Sequence, residues 1–152
     1  MRIVLDTNVL VSAFISKDGN PAALLDVALT LPEIEVVLSD EILGEFGDIL
    51  SRRKVRERLH YSKEDVSEFV RIIRNAVSIV KPTSNIKLVE EDPDDDDDDV
   101  IINTAFDGKA NYIVSGDNHL KEMKEFKGIV ILSPKMMLDT IVKRFGDIIF
   151  RV

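Results

Sequence analysis

Met1-Arg2-Ile3-Val4-Leu5-Asp6-Thr7-Asn8 is the stretch whose reading decides the fold. Ile3, Val4 and Leu5 form an uninterrupted, partly β-branched apolar run, which suits a strand buried on both faces of a parallel sheet. Such a strand is central. In open α/β sheets the ligand crevice lies beyond the carboxyl ends of the strands, where the strand order reverses, so Asp6 is expected at its mouth. An Asp in this place also commonly serves as the N-cap of the next helix. Its partners elsewhere in the chain therefore decide its meaning.

Working outward, Thr7 to Phe14 fits a short helix, and Ser16 to Asn20 a loop. Asn20 is expected to cap a second helix with Pro21 at its first position, and Ile34 to Leu38 reads as a second buried strand. Ser39 then caps a helix with Asp40 and Glu41 in its first turn. Ile42, Leu43, Phe46, Ile49 and Leu50 form its apolar stripe, and Glu45 lies beside that stripe. Ser62 and Asp65 match a capping box. They open a helix with Val66, Phe69, Val70, Ile72, Ile73, Ala76 and Val77 expected inside. Ser78 to Lys81 is a third strand, followed by a polar connection to Glu91.

From Val100 to Phe106 a helix turns Ile101, Ile102 and Ala105 inward, and Asp98 continues that face. Gly108 is expected to end it. Asn111 to Val114 gives a fourth strand, after which Ser115-Gly116-Asp117 repeats the Asp6 geometry. Gly128 to Leu132 gives a fifth, and Ser133-Pro134 caps a last helix through Met137, Leu138, Ile141, Val142 and Phe145. Short apolar strands alternating with helices predict an α/β protein. The expected form is a single domain over 1–152, three-layer α/β/α, with a central, mostly parallel five-stranded sheet.

At 152 residues the chain can bury roughly two thirds of the surface its unfolded form exposes. It has no cysteine, hence no disulfide framework and no thiolate metal site. No signal-peptide core follows Met1, and nowhere do about 18 apolar residues run together. The expectation is a soluble, cytoplasmic protein. The net charge of −8 is local: Glu90, Glu91, Asp92 and Asp94 to Asp99 are nine acids in one window, and elsewhere 20 basic residues face the remaining 19 acidic ones. A near-neutral body with one acidic cluster is compatible with a cation site that bridges to phosphate.

Two acids close strands and two sit on helices near the same edge. Carboxylates gathered there must either be protonated or be neutralised by cations. Oxygen ligands without Cys or His point to Mg²⁺ or Mn²⁺, which keep positions open for water and a phosphate oxygen. An EF-hand reading of the aspartate run fails, because its sixth and twelfth positions fall on Asp99 and Ala105 rather than Gly and Glu. Six adjacent aspartates disfavour regular structure unless something positive neutralises them. Arg52, Arg53, Lys54, Arg56 and Arg58 form the one concentrated basic patch, and are candidate contacts to RNA phosphates or else a solvated helix surface.

Four pieces together resemble the PIN-domain ribonucleases: Leu5-Asp6-Thr7-Asn8-Val9-Leu10, Ser39 to Leu50 around Glu45, Asp98 to Ala105, and Tyr112-Ile113-Val114-Ser115-Gly116-Asp117. Within that family the chain is most similar to the toxin component of PIN-type toxin–antitoxin pairs (VapC-like). The resemblance implies a PIN-like fold and metal-dependent endonucleolytic cleavage of RNA. It also implies Asp6, Glu45, Asp98 and Asp117 as catalytic acids and metal ligands, with Asn8 and Ser115 orienting carboxylates or water. The aspartate run departs from the family pattern, so Asp99 and Asp97 are alternative registers for the third acid. Relatives often carry an acid where this chain has Asn103. An antitoxin protein is the partner so implied, and the apolar tail Ile148-Ile149-Phe150 is compatible with an antitoxin contact or a homodimer.

Three other readings compete with this one. A haloacid-dehalogenase phosphatase resembles Asp-x-Asp-x-Thr after the first strand, but Asn8 stands in place of the second acid. A dinucleotide site lacks its Gly-x-Gly-x-x-Gly. A catalytically silent PIN-like module that binds RNA or protein is the remaining alternative. His60 and His119 read as surface or polar-contact residues, with His119 near enough to Asp117 to touch substrate.

Overall fold

The computed structural model describes residues 1–88 and 96–149, Asp96 by its backbone alone. The first aspartates of the acidic run, the end of the connection to Glu91, and Phe150 lie outside the described residues. In chain order the elements are β1 (Arg2–Leu5), α1 (Thr7–Ile15), α2 (Asn20–Thr30), β2 (Glu35–Ser39), α3 (Asp40–Ser51), α4 (Arg53–Leu59), α5 (Lys63–Ala76) and β3 (Ser78–Val80). There follow α6 (Asp96–Asp107), β4 (Tyr112–Val114), α7 (Asn118–Met123), β5 (Glu125–Phe126), β6 (Ile129–Leu132) and α8 (Pro134–Ile149).

The sheet runs β3-β2-β1-β4-β6-β5, parallel except for the β5–β6 pair. β1 is central, with Ile3, Val4 and Leu5 fully buried. The chain moves one way from β1 through β2 to β3, then crosses back over both to β4. Right-handed crossovers therefore put α1 to α5 on one face and α6 on the other. Packing agrees: α6 contacts β1, β2 and β4, while α1 packs on α2 and α3, and α2 on α8. The strand order reverses between β1 and β4. That is the switch point where Asp6 and Asp117 emerge.

The structure corrects the sequence reading in several places. The sheet has six strands, not five. Lys127 (φ 47°) and Gly128 (φ 84°) make a two-residue turn with both central residues left-handed, which folds Glu125-Phe126 back on Ile129-Val130. Asn20 lies inside α2, one residue past the cap at Gly19. α6 begins within the aspartate run, where its first turn places carboxylates at the positive end of the helix dipole. Gly108 ends α6 through close approach rather than handedness. A Cβ there would lie 2.7 Å from the Thr104 carbonyl oxygen and 2.8 Å from Val37 Cγ1, while Lys109 takes the positive φ. Ile72 and Ala76 of α5 and Val142 of α8 face outward, because the packing stripe is narrower than their apolar character suggested. Ser39, Ser62 with Asp65, and Ser133 cap α3, α5 and α8 as expected.

Two devices fix the helices that carry the site. Phe14 of α1 meets Phe69 of α5 edge-on at 4.7 Å and Tyr61 at 5.0 Å, and Phe69 meets Phe46 of α3 at 5.8 Å. The second is a strap over α6. Asp99, Asn103 and Asp107, spaced four apart on one stripe of the helix, bind the backbone of residues 83–88 as a neighbouring strand would. Asp107 accepts from the Thr83 and Ser84 amides, the Asn103 carboxamide both accepts from and donates to the Ile86 backbone, and Asp99 accepts from the Leu88 amide at 2.9 Å.

Candidate active site

Asp6 is the N-cap residue of α1 and only 8 % exposed. Its amide donates to the Val114 carbonyl at 2.9 Å, which ties the ends of β1 and β4 together. The fully buried Ser115 joins the two acids: its hydroxyl donates to Asp6 Oδ2 at 2.7 Å and accepts the Asp117 amide at 2.9 Å. Asp117 in turn caps α7, accepting the His119 amide on Oδ1 at 2.7 Å. His119 and Asn8 are exposed. Asn8 and Asp117 line one cleft of about 400 Å³ together with Ser12, Pro21 and Pro134.

Glu45 reaches this group from α3 through a residue the sequence reading had not singled out. The buried Thr7 donates its hydroxyl to Glu45 Oε2 at 3.1 Å. The available signal was a hydroxyl directly after Asp6, at the first position of α1. A second unnoticed pair is Thr104 of α6 and Ser39, both fully buried, with hydroxyls 3.0 Å apart. Ser39 also accepts the Ile42 amide, so α6 is keyed to the cap of the helix that carries Glu45.

The electrostatics follow from this placement. Burial raises the Asp6 carboxyl above its ordinary range. The Ser115 hydroxyl and the nearby amides of Asn8 and Thr7 oppose the rise, and the Asp117 charge adds to it. Glu45 is also raised, first by burial. Its bond from Thr7 opposes this, the charges of Asp97 and Asp6 add to it, and Arg52 opposes it. Asp6, Glu45 and Asp117 have no ion pair among the described residues.

The charges of these acids act on one another in pairs: Asp117 on Asp6, and Asp97 and Asp6 on Glu45. Asp98 is half-buried in the first turn of α6, next to the inward Ile101 and Ile102, while Asp99 is engaged by the strap. Asn103, where relatives often have an acid, is held by Ile86 and by its donation to the Asp99 carbonyl at 2.7 Å. As placed, no three Asp, Glu or His side chains among the described residues form one ion-binding group. The donor chemistry nonetheless suits a hard divalent cation: oxygen ligands only, Asp6 buried with Glu45 and Asp117 half-buried, and Asp6 and Glu45 disfavoured as bare anions by burial and neighbouring acids.

The basic patch divides. Arg53 pairs with Glu57 at 2.7 Å, and Arg56 donates to the Ser51 carbonyl at 3.0 Å. Lys54 and Arg58 flank a smaller cleft with Ile15, and Arg52 stands at the α3–α4 corner.

A family model described as PIN domain matches residues 2–119, which include all four candidate acids. The chain belongs to the PIN-domain family. Across 125 residues it is 29 % identical to an uncharacterized protein of Methanocaldococcus jannaschii, over 82 % of this chain and 76 % of that one. The PIN fold is also that of two solved structures. One is VapBC2 from Rickettsia felis bound to a DNA fragment from their promoter (TM-score 0.58, 16 % identity, 86 % of this chain and 97 % of that chain). The other is VapBC-1 from nontypeable Haemophilus influenzae (TM-score 0.59, 14 % identity, 89 % and 99 %). Among the described residues of this PIN-domain protein no helix is long and apolar enough to cross a membrane.

Proposed function

We propose that this PIN-domain protein is a ribonuclease that hydrolyses RNA phosphodiester bonds with Mg²⁺ or Mn²⁺, and that it serves as the toxin of a toxin–antitoxin pair. The observation that carries the nuclease reading is the bridge from the buried Asp6 and Ser115 to Asp117 at the switch point, with Glu45 joined to it through Thr7. The toxin reading draws on likeness to the VapBC assemblies, and requires an antitoxin protein as partner.

Asp6, Glu45, Asp117 and an acid in the first turn of α6 would hold the ion. Asp98 is that acid by its position on the inward face, with Asp97 and Asp99 as the other registers. When bound, the cation supplies Lewis acidity toward the phosphate and makes water nucleophilic at neutral pH. The chain's own part is to hold the carboxylates ready. Ser115 fixes the Asp6 carboxylate and the turn at Asp117, Thr7 fixes Glu45, and Asn8 lies at the cleft beside Asp117. Burial of Asp6 shields its charge from bulk water.

End-labelled single-stranded RNA should be cut only when Mg²⁺ or Mn²⁺ is present, without a cyclic phosphate product, and should survive a folded Asp6→Asn variant. Mn²⁺ affinity, measured by calorimetry, should fall when Asp6→Asn and Asp117→Asn are combined. Cleavage that persists in excess chelator overturns the mechanism. RNA binding without cleavage would place the chain with catalytically silent binding modules instead.

A further inference from the structure

The basic segment read from the sequence as one patch has members with different occupations, and Arg52, the C-cap of α3, continues the helix that carries Glu45. Arg53 and Arg56 are taken by Glu57 and by the Ser51 carbonyl. Arg52 follows Glu45 by seven residues, two helical turns, and so continues the Glu45 side of α3 about 10 Å farther along its axis. Its backbone is fixed from several directions. The Arg52 amide donates to the Ile49 carbonyl at 3.3 Å, the Tyr61 hydroxyl holds the Leu50 carbonyl at 2.8 Å, and Arg56 holds that of Ser51 at 3.0 Å. Arg52 is exposed and has no ion pair among the described residues.

From this geometry we infer that Arg52 is a positioning residue for substrate: it grips an RNA phosphate neighbouring the scissile one and so sets the strand's register over Asp6, Glu45 and Asp117. This rests on the ribonuclease reading above. A guanidinium offers a forked donor to phosphate that a neutral side chain lacks. The offset of about 10 Å from Glu45 puts its target beside the reacting phosphate rather than upon it. Its charge already reaches the site, since it opposes the rise at Glu45.

The test compares Arg52→Gln, Arg52→Lys and Arg53→Gln with the wild type. Thermal unfolding and Mn²⁺ affinity serve as controls, and single-stranded RNA binding without added metal is an independent readout. Arg52→Gln should weaken RNA binding about ten-fold and reduce the salt slope by about 0.7, as loss of one single-strand phosphate contact requires. It should raise KM more than it lowers kcat. Arg52→Lys should restore part of the loss, and Arg53→Gln should match wild type. A set of RNAs with one phosphate at a time made neutral by a methylphosphonate should contain one position, beside the cut, where wild type falls to the Arg52→Gln level and the variant loses nothing more. Wild type that cleaves, with Arg52→Gln binding and cleaving equally well, overturns the inference alone. Wild type that binds RNA through Arg52 but never cuts leaves a phosphate contact and overturns both the register-setting role and the nuclease reading. Absence of both binding and cleavage overturns both.

Discussion

The two ends of β1 and β2 handle charge in opposite ways. At the amino ends Arg2 and Glu35 pair at 2.7 Å, Ser78 adds a hydroxyl to Glu35, and the Arg2 guanidinium also donates to the Gly108 carbonyl. These partners hold the Glu35 carboxyl down at about 2. At the carboxyl ends of the same strands Asp6 and Glu45 are pushed upward by burial and by neighbouring acids. Only hydroxyls and amides, with the distant Arg52, oppose the rise. One end is internally neutralised and the other is left to be neutralised by something bound. A fold that solves the electrostatic problem at one end but not at the other, at its switch point, is the ground on which we propose the second end as the site.

The largest expected effect comes from removing the charge at the unneutralised end. Asp6→Asn should abolish RNA cleavage, by more than the roughly 100-fold that marks loss of a supporting contact. It should leave the melting temperature unchanged or higher, because an ionised buried carboxylate costs stability. A variant that melts well below wild type would contradict the contrast between the two ends. Next, Ser115→Ala strands Asp6 Oδ2 and the Asp117 amide without a partner. It should cost about 1–3 kcal/mol in denaturant unfolding and lower activity about 10–100-fold, so stability and cleavage fall together only here.

Smaller effects follow away from the acids. Asn103→Asp removes the donors to the Ile86 and Asp99 carbonyls and should cost about 1–3 kcal/mol, seen as faster amide exchange in residues 83–88. Its failure to destabilise would mean the strap does not depend on its α6 stripe. The smallest effect is expected at the amino end. The Glu35 carboxyl is depressed when folded, so its contribution to stability is present above the unfolded value near 4.5 and lost as pH falls from there to about 2. Glu35→Gln should therefore lower the melting temperature modestly at neutral pH, match wild type near pH 2, and leave RNA cleavage untouched. A difference that grows with acidity would reverse the assigned sign.

Much of this was legible in the residues because it is written in local pattern. The apolar run Ile3 to Leu5, the caps at Ser39 and Ser62, and the helical face shared by Asp98, Ile101, Ile102 and Ala105 depend on spacing alone. The β5 strand escaped notice because two residues carry no period. Its mark is the Lys127-Gly128 turn, where a lysine takes a positive φ that sequence gives little reason to expect. The run of basic residues, read as phosphate contacts or else a solvated helix surface, carries α4.

The sequence by itself determined the alternating α/β order, the central place of β1, and which acids end strands or lie on inward faces, since these follow from hydrophobic period and chain order. Tertiary structure alone decided which groups meet. Thr7 reaches Glu45 across 38 positions, Ser115 reaches Asp6 across 109, and Thr104 keys α6 to Ser39 across 65. It likewise divided five neighbouring basic residues: Arg53 into an ion pair, Arg56 into a carbonyl clamp, Lys54 and Arg58 onto a small cleft, and Arg52 onto the end of the helix that carries Glu45. No local pattern encodes such pairings. They arise where the parallel register brings strand ends together and burial obliges each polar group to find a partner.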